Sequence, residues 1–150
     1  MKEEVEKAKE ARIIEDTFRD HLGIEVVEVG EFYAVLECRI RREYLNKLGT
    51  VHGGLIAALI DSAMGVAANW DGNVRFALHI SVDFLSPGYE GETLRAVARK
   101  SGGGRRVVFL EVEVRSVGDE ERVVARASGI VYAGRMSKKV MAGGENGENS

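Results

Sequence analysis

A single cysteine, Cys38, a single proline, Pro87, and no glutamine at all stand in a chain of 150 residues. One cysteine closes no intrachain disulfide, which excludes a disulfide-stapled scaffold and weighs against a secretory route. With 18 glycines but one proline, 45% hydrophobic and 30% charged residues, the composition fits neither a disordered nor a collagen-like chain. An excess of positive charge is also missing. The 21 Lys and Arg face 24 Asp and Glu, so the net charge of −3 offers no field to draw the chain onto nucleic acid or anionic lipid. The most apolar stretch, residues 53–68, falls short of the roughly 20 residues that cross a bilayer and carries Asp61 in its middle, so no membrane span is expected. The opening Met-Lys-Glu-Glu-Val-Glu has no apolar signal region, and the expected compartment is the cytoplasm. The lack of glutamine beside abundant Glu, Arg and Lys is a bias of heat-adapted proteins.

What is present reads as one domain, residues 1–135, followed by a flexible tail at 136–150. Val5, Ala8, Ala11, Ile14, Phe18 and Leu22 recur at three- and four-residue steps, predicting an amphipathic helix over 3–22 that Gly23 ends. Phe32, Ala34, Leu36, Cys38 and Ile40 alternate with more polar neighbours, the period of a strand, and 24–29 supplies its hairpin partner. After a loop at 42–51, residues 53–70 are nearly all apolar or small, which predicts a buried helix. Alternation then marks a strand at 76–85, ended by Ser86-Pro87-Gly88, and further strands at 93–100, 105–117 and 122–133. The turns at 101–104 and 117–120 are short enough for antiparallel hairpins. This order, without a repeated βαβ unit, predicts an α+β fold with an antiparallel sheet. The sheet covers one side of the apolar helix, and a second subunit is the simplest cover for the other.

The chemistry concentrates in Asn46-Lys47-Leu48-Gly49-Thr50-Val51-His52-Gly53-Gly54, running into the helix that holds Asp61. Gly53 and Gly54 stand where that helix begins, so their N–H groups lack intrahelical acceptors and no side chain blocks a ligand. Such amides suit a carbonyl becoming an oxyanion, although Gly-Gly also serves a tight turn. An ionised Asp61 in an apolar helix is costly unless paired, and desolvation raises a carboxyl toward the range useful for a base; a carboxylate paired with an arginine or capping a neighbouring loop is the alternative. Gly53 and Asp61 are eight residues apart, about 12 Å along a helix, so one chain cannot bring both to one carbonyl. If both act on one bond, they come from two subunits. His79, Ser81 and Asp83 share a strand face but lie about 6.6 Å from each other in turn, too far for a Ser-His-Asp triad. The three histidines show no metal-ligand spacing, and Cys38 reads as core packing. Lys100 with Ser101-Gly102-Gly103-Gly104-Arg105-Arg106 combines backbone amides with three positive charges, which suits a phosphate-bearing ligand or simply a solvated hairpin.

The pattern Asn46, then Gly49-Thr50-Val51-His52-Gly53-Gly54-Leu55, then Asp61, followed by Ile80-Ser81-Val82-Asp83-Phe84 and the Gly-Arg hairpin, resembles the hotdog-fold thioesterases of the phenylacetic-acid-degradation (PaaI) type. The resemblance covers residues 26–133. It implies a long helix wrapped by a curved antiparallel sheet, with the N-terminal helix as an addition, in a homodimer or a homotetramer built as a dimer of dimers. It implies hydrolysis of an acyl-CoA, aromatic or medium-chain, without cofactor or metal, coenzyme A being part of the substrate. Asp61 is then the catalytic base or nucleophile and the Gly53 amide polarises the carbonyl, with His52 and Asn46 shaping the site and Ser81 the polar group near the acid. Gly54, Asp83, Lys100, Gly104, Arg105 and Arg106 are implied on the substrate side, the three cations toward the CoA phosphates. A hotdog hydratase would place a His and a carboxylate in a different loop context. A non-catalytic acyl-CoA-binding module is the alternative from another class.

Overall fold

The computed structural model describes residues 2, 3, 6, 16–118 and 121–134. Most of the expected helix at 3–22 and the expected tail at 136–150 lie outside the described residues. Within them, helix α1 spans Thr17–His21, capped by the Asp16 carboxylate, which accepts the Arg19 N–H at 3.0 Å. Strands β1 (Ile24–Gly30) and β2 (Tyr33–Arg39) lead through a short 3-10 turn at Arg42–Tyr44 to helix α2 (Gly53–Ala68). Four more strands follow: β3 (Phe76–Phe84), β4 (Thr93–Gly103), β5 (Val107–Val117) and β6 (Arg122–Tyr132).

All pairings are antiparallel, and the six strands stand in the order β1-β2-β4-β5-β6-β3. The chain between β2 and β4 carries α2 and β3, so β3 is delivered to the far edge while α2 lies across the sheet. The α2 side chains Leu59, Ile60, Ala63 and Met64 are fully buried against Leu36, Leu94, Leu110 and Val131 of the strands. Gly129 of β6 permits the close approach of α2: a Cβ there would sit 2.0 Å from Met64 Cε. Cys38 is core packing as expected, with burial raising its thiol to about 11, further than the nearby Arg41 lowers it.

The structure amends the expected bounds. α2 stops at Ala68 instead of 70, where the Arg75 guanidinium takes the Ala68 carbonyl at 2.6 Å. β4 runs on through residues expected to be loop, because a bulge between Lys100 and Gly102 carries the ladder to the Gly103–Val108 pair. β5 accordingly begins at Val107, not 105, and the hairpin loop shrinks to 104–106. Gly103, at φ +82°, makes that turn, and a Cβ there would lie 2.3 Å from the Val107 carbonyl oxygen. Phe32 is not the first residue of β2. It takes φ +46° in the β1–β2 turn, its ring meeting Trp70 edge-on at 5.7 Å.

Two edges remain, β1 and β3. Every β3 residue is at least partly exposed, including Phe76, Leu78 and Phe84, which makes this a long, largely apolar edge strand without a partner on its outer side among the described residues.

Candidate active site

The loop entering α2 is built by Asn46. Its Oδ1 accepts from the N–H groups of Leu48 (2.9 Å) and Thr50 (3.2 Å), its Nδ2 donates to Thr50 Oγ1 at 2.9 Å, and its own N–H donates to the Thr50 carbonyl. Asn46 thus shapes the loop, and its amide is occupied in doing so. The Val51 and His52 N–H groups donate to the carbonyls of Gly88 and Tyr44, which sets His52 at the helix start. His52 caps α2 with φ −60° and ψ 134°, and its Nδ1 accepts the Gly54 N–H at 2.9 Å. Its own carbonyl takes the N–H groups of Leu55 and Ile56.

This arrangement separates the two glycines. Gly54 is satisfied by the imidazole, and the Gly53 N–H alone keeps no partner among the described residues. It stands at the positive end of the sixteen-residue α2. With Nδ1 accepting, a neutral His52 ring carries its proton on Nε2. Two hollows flank the helix start. One of about 350 Å³ is lined by Thr50, Gly53, Ile56, Phe84 and Leu85, and the Phe84 ring lies 3.3 Å from where a Gly53 Cβ would stand. The other, about 240 Å³, is lined by Phe18, Leu22, Tyr44, His52, Gly54 and Ala58.

Asp61 follows two turns along α2 and is exposed in the chain, which corrects the expectation of a buried acid. The helix is apolar all round only by residue type: its outward positions are small, with Ala57, Ala58, Ser62 and Gly65 half-buried beside Asp61. The carboxyl is still raised above the ordinary aspartate range, first by desolvation and then by the negative charge of Asp16. No arginine or other hydrogen-bond partner takes it among the described residues.

Ser81 and Asp83 are not brought to Asp61 within the chain. Ile80 is opposite Gly129, the residue that faces Met64, so the alternate residues His79, Ser81 and Asp83 point to the outer side of the sheet, Ser81 paired with Ser128 and Asp83 with Arg126. That outer side holds a cleft of about 630 Å³, but its Arg95 and Arg115 are matched by ion pairs to Glu37 and Glu113. Its four arginines face four carboxylates, so it carries no excess of positive charge for an anion. Lys100, Gly104, Arg105 and Arg106 are exposed at the β4–β5 turn, beside a groove of about 490 Å³ that also takes in Asn73 and Arg75. Lys100 Nζ lies 4.7 Å from the Phe32 ring, and Arg106 donates to Tyr132 Oη at 3.0 Å.

A free amide at a helix N-terminus and a carboxyl raised above the ordinary aspartate range, separated along one helix, are compatible with acyl-transfer chemistry. Residues 48–123 match the family model of the thioesterase superfamily. The chain belongs to the thioesterase superfamily. This thioesterase is 31% identical over 128 residues to an Archaeoglobus fulgidus protein whose name assigns it provisionally to the esterases, covering 85% of this chain and 82% of that one. It is 32% identical over 104 residues to the acyl-coenzyme A thioesterase PaaI of Escherichia coli, covering 69% of this chain and 73% of the relative. The solved structure of the E. coli PaaI protein superposes with a TM-score of 0.82 at 26% identity, covering 90% of this chain and 96% of that one. The fold is therefore the hotdog fold of PaaI-type thioesterases, as the sequence resemblance implied.

Of the residues that sequence reasoning grouped, His52 meets Gly54 directly, whereas Asn46 acts on the loop before them through Leu48 and Thr50. It missed Thr50, Ile56, Phe84 and Leu85 around the free amide. The pair Phe84-Leu85 before Ser86-Pro87 carried a signal, two adjacent apolar residues where alternation allows one. Asp16 and Arg75 carried none, since their roles come from long-range packing.

Proposed function

We propose that this thioesterase hydrolyses the thioester of an aromatic, phenylacetyl- or hydroxyphenylacetyl-like, or medium-chain acyl-CoA, releasing the free acid and CoA in the cytoplasm. The observation that carries the reading is the division between the glycines: His52 satisfies Gly54 and leaves the Gly53 N–H open for a carbonyl oxygen. Asp61 acts as general base on water or as nucleophile, and a carboxyl raised by desolvation and by Asp16 is suited to either role. The donor and the acid lie about 12 Å apart along α2, so each site takes Asp61 from one subunit and Gly53 from its partner. The unpaired apolar β3 edge supports assembly as a homodimer, itself able to pair into a homotetramer.

A thioester carbonyl is electrophilic and thiolate leaves readily, so one base and one oxyanion donor suffice, and the proposal includes no metal or cofactor. His52 Nε2–H and the Asn46 loop complete the carbonyl end, with Gly54 in the cap. Lys100, the Gly104 amide, Arg105 and Arg106 meet the CoA phosphates. Ser81 and Asp83 belong to this reading only as groups presented to a partner subunit or to the outer end of the substrate.

The test is thiol release from phenylacetyl-, hydroxybenzoyl-, short-, medium- and long-chain acyl-CoAs by wild type and Asp61→Asn. Turnover lost in the variant supports the reading and ranks the acyl groups. Saturable binding without turnover on any ester would move the assignment to an acyl-CoA-binding module.

A further inference from the structure

Arg75 is 5% exposed, an unusual place for a guanidinium in a turn between a helix and an edge strand. Its donors are spread over three segments. Nη1 reaches the Ala68 carbonyl at 2.6 Å and Asp71 Oδ1 at 2.9 Å, Nη2 reaches Asp71 Oδ2 at 3.2 Å, and Nε reaches the Arg105 carbonyl at 2.7 Å. The Phe32 ring covers it at 5.1 Å, and its own N–H donates to Asn69 Oδ1. Asp71 balances the charge, so Arg75 adds little field at the surface. What it supplies is a rigid strut from the end of α2 to the β4–β5 turn.

The hairpin does not need that strut to close. Gly104 N–H donates to the Val107 carbonyl within the turn itself. The next carbonyl, that of Arg106, is held separately by the Ala133 N–H at 2.7 Å, and the Arg106 side chain rests on Tyr132. Both carbonyls of the Arg105-Arg106 pair are therefore tied to the body of the protein while both residues stay exposed. Backbone fixation beneath exposed guanidinium groups prepares them for an anion, because the ordering cost is met before binding.

We propose that Arg75, oriented by Asp71, is a positioning residue that fixes the Arg105-Arg106 turn for the phosphates of the CoA arm, so that the enzyme favours nucleotide-bearing thioesters. This rests on the reading that those cations meet the phosphates. Lysine cannot replace the fork: one ammonium does not serve Ala68, Asp71 and Arg105 together.

The experiment is steady-state kinetics with one acyl group carried either by CoA or by N-acetylcysteamine, which lacks the nucleotide. Arg75→Lys raises KM for the CoA ester about ten-fold and leaves kcat within about two-fold, with both parameters for the short ester kept. Asp71→Asn, at an exposed position, moves KM in the same direction and carries the test if Arg75→Lys does not fold. An equal loss on both esters, a fall in kcat alone, or an unchanged KM for the CoA ester would overturn the proposal. The double variant Arg105→Glu/Arg106→Glu separates the two levels. If it leaves KM for the CoA ester unchanged, the phosphate reading itself fails; if it raises KM and the Arg75 and Asp71 variants do not, only the strut fails.

Discussion

Replacing Gly53 by proline removes the proposed oxyanion donor and almost nothing else. Proline at the first position of a helix is well tolerated, because the N–H it lacks has no intrahelical acceptor and its fixed φ suits the helix. The residue before a proline must be extended, and His52 already has φ −60° and ψ 134°. The added carbon meets Phe84 at 3.3 Å, a contact shared by Gly53→Ala, and Phe84 is 57% exposed and free to give way. The ratio of the two variants therefore cancels the steric part and isolates the amide. Losing one such donor costs about 2.7–4 kcal/mol of transition-state stabilisation, so kcat of the proline variant falls about 10²–10³-fold below the alanine variant. Thiol release under saturating ester measures this, and thermal melts of both variants establish that the fold is kept. A proline variant within about three-fold of the alanine variant would show that the Gly53 amide does not hold the carbonyl oxygen.

Other perturbations address the acid, the assembly and the packing. Asp61 acts ionised, so activity falls as pH drops through its raised pKa; Asp16→Asn removes a negative neighbour and moves that acidic limb to lower pH, and a limb that stays or moves up refutes the coupling. Mixed chains of Asp61→Asn and Gly53→Pro, allowed to exchange subunits, recover about a quarter of wild-type activity, since half the dimers are mixed and each has one intact site. No recovery despite proven exchange would place both groups in one chain. Gly129→Ala drives a methyl into the fully buried Met64 and costs about 1–3 kcal/mol of stability. A calorimetric Tm about 3–10 °C below wild type is expected, and an unchanged Tm would show that the contact relaxes freely.

The long helix and the strand series were legible because their signals are local: an apolar run after His52-Gly53-Gly54, and alternation between glycine-rich turns. The ends of those elements were not. β4 passes Ser101 and Gly102 because a bulge, a property of the paired ladder, absorbs one residue. Phe32 accepts a left-handed φ because Trp70, Arg75 and Lys100 gather round its ring, three residues far from it in sequence. Asp61 read as buried because alanine counts as apolar in a periodicity, although Ala57 and Ala58 leave a low surface around it. At the helix start, the motif treated the two glycines alike, and only the direction of the His52 ring distinguishes their hydrogen bonding. The face shared by His79, Ser81 and Asp83 was readable from period two; which side of the sheet it takes depends on the register with β6.

The vacant donor of Gly53 belongs to the main chain, and that alters how the site responds to mutation. Every amino acid except proline carries an amide there, so on the proposed reading a survey by alanine replacement would score residue 53 as dispensable while Asp61 stood out. Selection acting on this group works through whatever keeps the backbone in place, namely the Asn46 loop, the His52 ring over Gly54 and the Phe84 ring beside it. On the proposed reading, loss of function at this end of the site also arises as a displaced peptide plane, traced to the residues that hold the backbone there.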